Sequence, residues 1–113
     1  MEKVQYADGK VIFTAATKGE GAFAPITFSY RPLRGAALAR FQNEGVGAPG
    51  NFLIAGEKML ARQLVSWDAK DSDGREVPCS ARGLQELVGM VLGEMTALVV
   101  ENANDAEEEV KNS

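Results

Sequence analysis

Ser80-Ala81-Arg82-Gly83-Leu84-Gln85-Glu86-Leu87-Val88-Gly89-Met90-Val91-Leu92-Gly93-Glu94-Met95-Thr96-Ala97-Leu98-Val99 is the stretch that decides the fold class. Leu84, Leu87, Val88, Val91, Leu92, Met95, Leu98 and Val99 recur at i, i+3, i+4, i+7 and i+8, the spacing that gathers side chains on one face of an α-helix. Ser80 stands where an N-cap belongs, so the pattern predicts one helix from Ser80 to about Val99. Gly83, Gly89 and Gly93 each cost about 1 kcal/mol relative to alanine in an isolated helix. Such a helix persists only when packed, and its glycines admit a close neighbour. The stripe has two readings. In the first it closes the chain's own core; in the second it is partly exposed and offers Leu84, Leu87, Val91 and Met95 to a partner.

Upstream, Asp68 to Pro78 is polar, with Asp73-Gly74 as its turn. Asn51 is placed to cap a helix running to about Trp67 and burying Phe52, Ala55, Met59, Leu60, Leu64 and Trp67, with Gln63 in part. Leu33, Ala36, Ala37, Leu38 and Phe41 fit a shorter helix that reaches Gly45. Before Pro32 the period changes from helical to alternating. Ile26, Phe28 and Tyr30 alternate with Thr27 and Ser29, which predicts a strand with one buried face. Residues 4–15 read as a second strand or hairpin arm, with Asp8-Gly9 as a turn ahead of Lys10-Val11-Ile12-Phe13-Thr14. Lys18-Gly19-Glu20-Gly21 joins the two as a glycine-rich loop. The expected fold is α+β: an N-terminal antiparallel hairpin or small sheet packed against about three helices. Residues 1–100 form the single domain, and 101–113 form a frayed acidic tail.

Composition narrows the chemistry. The chain has 113 residues, enough for one domain, and its 45% hydrophobic and 25% charged residues are ordinary for a folded protein. It has no histidine, the commonest general base and metal ligand, and one cysteine, Cys79, which rules out an intrachain disulfide. The net charge of −4 is unevenly placed. Residues up to Val100 hold 11 Lys+Arg and 11 Asp+Glu; from Glu101 onward there are five acids and one base. A neutral body with an acidic end argues against nucleic-acid binding, which needs a basic face. No apolar run approaches the ~20 residues of a membrane span, and no secretory signal is visible, so the expected location is cytoplasmic.

Several short patterns have a functional and a plainer reading. Gly45-Val46-Gly47-Ala48-Pro49-Gly50 matches G-x-G-x-x-G, but it follows a helical segment where a dinucleotide fingerprint needs a strand; it is a linker. Asp71-Ser72-Asp73-Gly74 resembles the middle of an EF-hand loop, yet Ala69 and Ser80 occupy the first and last ligand positions, so it is a solvated turn. Cys79 precedes the last helix and reads as a structural thiol. Trp67 ends an apolar stripe and is core before it is a ligand platform. Arg31, Arg34 and Arg40 gather around the first helix, as exposed charges or as a grip for an acidic partner.

One layout carries a resemblance. Leu64-Val65-Ser66-Trp67-Asp68, the acidic turn Asp71-Ser72-Asp73-Gly74-Arg75-Glu76-Val77-Pro78 and the helix opening Ser80-Ala81-Arg82-Gly83-Leu84 resemble the tail assembly chaperones of long-tailed bacteriophages. The junction Thr27-Phe28-Ser29-Tyr30-Arg31-Pro32-Leu33 is similar to theirs as well, so the likeness spans residues 26–95 in pieces. It implies a non-enzymatic protein of the infected cell, without cofactor or metal. Such a protein binds the tape-measure protein and helps tail-tube subunits polymerise around it. Self-association is a further expectation, and Arg31, Arg34, Trp67, Leu84, Leu87, Val91 and Met95 are the candidate partner contacts. The alternative is a permanent structural subunit of the tail, a completion or terminator protein. An enzyme using carboxylates and arginines ranks last, having no motif to support it.

Overall fold

The computed structural model describes residues 11–19, 23–48 and 50–112, with side chains as far as 103. The Asp8-Gly9 turn and the frayed character of the acidic tail fall on residues or side chains outside these. Strand β1 (Phe13–Ala16) pairs antiparallel with β2 (Thr27–Tyr30), Phe13 opposite Tyr30. At the base of their glycine-rich loop the Thr17 amide donates to the Ile26 carbonyl at 2.9 Å, and the Thr17 hydroxyl accepts the Ile26 amide at 2.8 Å. Alternation does the rest. Phe28 and Tyr30 are buried on one face, while Thr14 and Ser29 hydroxyls meet at 3.2 Å on the other.

A third strand, β3 (Leu64–Trp67), pairs antiparallel with β2, giving the order β1-β2-β3. This corrects the expected helix to Trp67: the helix ends at Gln63, and the next four residues are extended. Asp68 makes the difference. Its carboxylate accepts the Thr27 amide at 2.8 Å and its own amide donates to the Thr27 carbonyl at 3.1 Å, fastening the end of β3 to the start of β2. Ser29 faces Ser66 and Tyr30 faces Leu64, so Val65 is an extra residue and the register shifts there. Leu64 and Trp67 are three apart, a helical spacing. The bulge puts both against the core despite the strand's period of two.

Helices α1 (Gly35–Glu44) and α2 (Gly50–Gln63) connect β2 to β3. The linker between them turns through Gly47, whose φ of +99° lies in the left-handed region. Asn51 does not cap α2 as expected. It lies within the helix, and its side-chain amide donates to the Val46 carbonyl at 2.7 Å, holding the linker in place.

The decisive stretch forms two helices, α3 (Ala81–Gln85) and α4 (Gly89–Asn112), where one was expected. Ser80 is the N-cap, its hydroxyl accepting the Gly83 amide at 3.3 Å. The helix then tightens, Leu87 bonding back to Leu84 at 3.2 Å, and restarts with the Val88 carbonyl accepting from Leu92 at 3.0 Å. Gly89, a weak helix former, sits at the break. Among the described residues three strands and four helices make the α+β fold expected from the sequence. No helix among the described residues is long and apolar enough to cross a membrane.

The helices gather over the buried face of the sheet, and α2 turns two faces to its neighbours. Leu53 and Gly56 meet α4, with Leu60 one turn on. The Leu53 methyls lie 3.8 and 3.6 Å from where a Cβ would stand on Gly89 and Gly93, and a Cβ on Gly56 would fall within 2.8 Å of Thr96 Cγ2. Thr96 is buried there and donates its hydroxyl to the Leu92 carbonyl at 2.8 Å. On the other face of α2, the Phe52 ring meets Phe41 of α1 edge to face at 5.7 Å.

Candidate functional site

The α1–α2 pair closes only part of its length. Leu38 and Phe41 of α1 are buried, but Ala37 is too short to fill the space opposite Met59 and Gln63 of α2. The result is a groove of about 140 Å³ with Leu33, Ala37, Phe41 and Met59 as its apolar lining. Arg40, Glu44, Arg62 and Gln63 complete it. Its size selects the occupant. Clefts for drug-sized ligands run from ~300 to 1,000 Å³, whereas an apolar cavity of ~150 Å³ takes a benzene-sized group. A single apolar side chain matches the space.

Gln63 holds one end of the groove rigid. Its side-chain amide donates to the carbonyls of Arg31 at 2.8 Å and Pro32 at 3.3 Å, and its own carbonyl accepts the Arg31 amide at 2.8 Å. Arg31 and Arg34, both exposed, therefore stand in the segment that leads into the groove, next to Arg62 in the chain neighbouring Gln63. Among the described residues none of the four guanidinium groups of Arg31, Arg34, Arg40 and Arg62 has an ion-pair partner. Glu44 is the one carboxylate of the lining. Arginine presents a planar fork that matches a carboxylate, so the groove sets an apolar lining beside the forks of Arg40 and Arg62.

The other sequence-derived candidates have different duties. Leu84 and Met95 are fully buried and belong to the core, which leaves them no surface for a partner. Leu87 and Val91 are half-buried and pack against that core. Trp67 is half-buried, and its indole N–H donates to the Val77 carbonyl at 2.7 Å, tying the Asp68–Pro78 turn to the sheet. Gly83 is wedged between the Pro78 carbonyl and this indole. Thus Arg40 lines the groove, Arg31 stands on the segment that Gln63 holds, Arg34 precedes α1 as its N-cap residue, and the remaining candidates lie elsewhere. Arg62, Phe41 and Met59 were not singled out as contacts; the signal for Arg62 was its position three residues after Met59 on one helix.

A smaller apolar surface lies at the start of α4. Val88 and Met90 are 48% and 58% exposed, Ile54 of α2 is 55% exposed, and Met90 also adjoins Phe23 and Ala24 of the β1–β2 loop. That loop is fastened to α4 by the Lys18 amide, which donates to Glu94 Oε2 at 2.7 Å. The acidic turn is occupied with itself. Asp71 Oδ1 accepts the amides of Asp73 at 2.9 Å and Arg75 at 3.0 Å, and Gly74 takes the positive φ. Cys79 is exposed, and the partial burial it has raises its thiol pKa, the direction of an unreactive thiol. Among the described residues no three His, Cys, Asp or Glu side chains are grouped to hold a metal. No protein family, curated protein or solved structure matches the chain.

Proposed function

We propose that this protein is a non-enzymatic assembly chaperone that docks a segment of a partner protein in the α1–α2 groove. The observation that carries the reading is the pairing of an apolar lining sized for one side chain with unpaired arginines around it. The resemblance to the tail assembly chaperones of long-tailed bacteriophages supplies the partners: the tape-measure protein, and the tail-tube protein that polymerises around it. One groove binds weakly. Many copies along one long partner gain by multivalency, and each is released separately when the tube advances. The apolar surface around Val88 and Met90 offers a second, non-polar contact to the same partner.

The test is co-expression with the tape-measure protein of the same genome, followed by size exclusion with light scattering. The expected result is a complex holding several copies of this chain, lost when Ala37→Glu places a carboxylate in the groove. A closed ring that survives dilution and never joins the tape-measure protein would replace this reading with that of a permanent tail subunit.

A further inference from the structure

We infer that the groove takes a helical segment of a partner protein carrying one apolar side chain and a single carboxylate one helical turn from it. The inference rests on the groove being a docking surface, and states the chemistry of the segment it selects. The two walls run antiparallel. At one end the Phe41 and Phe52 rings meet at 5.7 Å, and at the other the Gln63 side-chain amide reaches the Pro32 carbonyl at 3.3 Å. Between these ends Ala37 and Met59 border the apolar gap of about 140 Å³, the space of one side chain.

Each wall carries an arginine three positions beyond that gap: Arg40 after Ala37 on α1, and Arg62 after Met59 on α2. Residues so spaced share a helix face, with Cβ atoms about 5–6 Å apart. Because the helices run in opposite directions, the two arginines stand on opposite sides of the gap. Their settings differ. Arg40 shares its side with Glu44, four positions on along α1, so the charges there offset each other. Arg62 shares its side with Gln63, whose side-chain amide is committed to the Arg31 and Pro32 carbonyls. Among the described residues no carboxylate pairs with Arg62. Two guanidinium groups against one carboxylate leave the lining one positive charge in excess, on the Arg62 side.

A single carboxylate is the complement of that charge, and a guanidinium receives it as a planar fork. A helix sets an apolar residue and an acid on one face when they are three or four apart, the spacing of Met59 and Arg62. Docking of a helix in a groove reads its anchors at that interval. Selection is also by exclusion. A basic residue in the acid's place meets Arg62, and a second acid on the far side of the anchor meets Glu44.

Fluorescence anisotropy of the full chain with labelled alanine-glutamine helical peptides at low salt tests this. The reference peptide holds one Leu and one Glu four residues away. It is expected to bind about tenfold tighter than its Glu→Gln form, the worth of one charge-assisted bond. The Glu→Lys and Leu→Ala forms should not bind. Arg62→Gln, at an exposed position, should keep the binding due to Leu and lose the preference for Glu over Gln. A second Glu on the other side of Leu should add nothing in the wild type and tighten binding in Glu44→Gln. Absence of binding, equal binding of the Glu and Gln peptides, or a preference that survives Arg62→Gln would each overturn the inference. A tape-measure complex lost in Ala37→Glu, alongside peptides that bind alike, would leave the proposed function and remove this selectivity. The peptide preference without any such complex would do the reverse.

Discussion

Along α2, the face turned to α4 is closed by small residues at the points of approach, whereas the face turned to α1 leaves a groove lined by longer ones. On the first face Gly56 admits Thr96 and the glycines of α4 admit Leu53, so little space remains. On the second, Ala37 falls short of Met59, and arginines stand around the gap. The lesson is that one helix can be held by one side and left receptive on the other. What separates the two is side-chain length at two or three positions, with the overall hydrophobicity of the faces a lesser matter.

Substitutions on the two faces should therefore part company in stability. The largest loss is expected from Leu60→Ala, on the closed side: Leu60 is fully buried, and deleting its side chain should cost about 2–5 kcal/mol in urea unfolding. A cost under about 1 kcal/mol would mean that the seam can collapse around the space, and the contrast with the groove would fail.

A smaller effect belongs to Tyr30, where α4 leaves the core. Tyr30→Phe deletes the bond from Asn102, a loss of about 1 kcal/mol at neutral pH. Burial raises the Tyr30 phenol above its ordinary pKa of 10.0, against the opposing bond from Asn102. The folded state thus holds the phenolic proton more tightly than the unfolded one. That contribution is complete below pH 10 and is lost as pH rises through the raised pKa. Urea midpoints from pH 7 to 11.5 should fall more steeply above pH 10 in the wild type than in Tyr30→Phe; parallel curves would exclude the phenol.

The smallest change in stability is expected in the groove. Arg62→Gln removes an exposed charge without a partner and should shift unfolding by no more than about 0.5 kcal/mol, while weakening tape-measure binding in the co-expression assay. Stability loss comparable to Leu60→Ala would make the groove a structural joint.

Particular residues explain what could be read in advance. The Ile26–Tyr30 alternation, the Ser80 cap and the buried side chains of Leu92, Met95 and Val99 follow from local periodicity, and the structure has each of them. Strand β3 was hidden because a bulge at Val65 gives Leu64 and Trp67 a helix-like spacing on a strand. The split between α3 and α4 was hidden because the apolar stripe runs through it without a gap; only Val88, exposed at the break, leaves the pattern. Of the groove, Arg40 was visible beside Arg31 and Arg34, its neighbours in the chain. Arg62 joins it through the pairing of α1 with α2, which no local pattern encodes.

The bond between Tyr30 and Asn102 links residues 72 positions apart. On a ribosome adding roughly 5–20 residues per second, the phenol is made about 4–14 s before its partner. Through that interval the sheet's apolar face, with Phe28 and Tyr30 on it, has no α4 to cover it, and it closes only after nearly the whole chain has been synthesised. Nascent chains halted between Trp67 and Gly89 carry β1, β2 and β3 with α1 and α2 but without α4, the stage at which the apolar face is most exposed to wrong contacts.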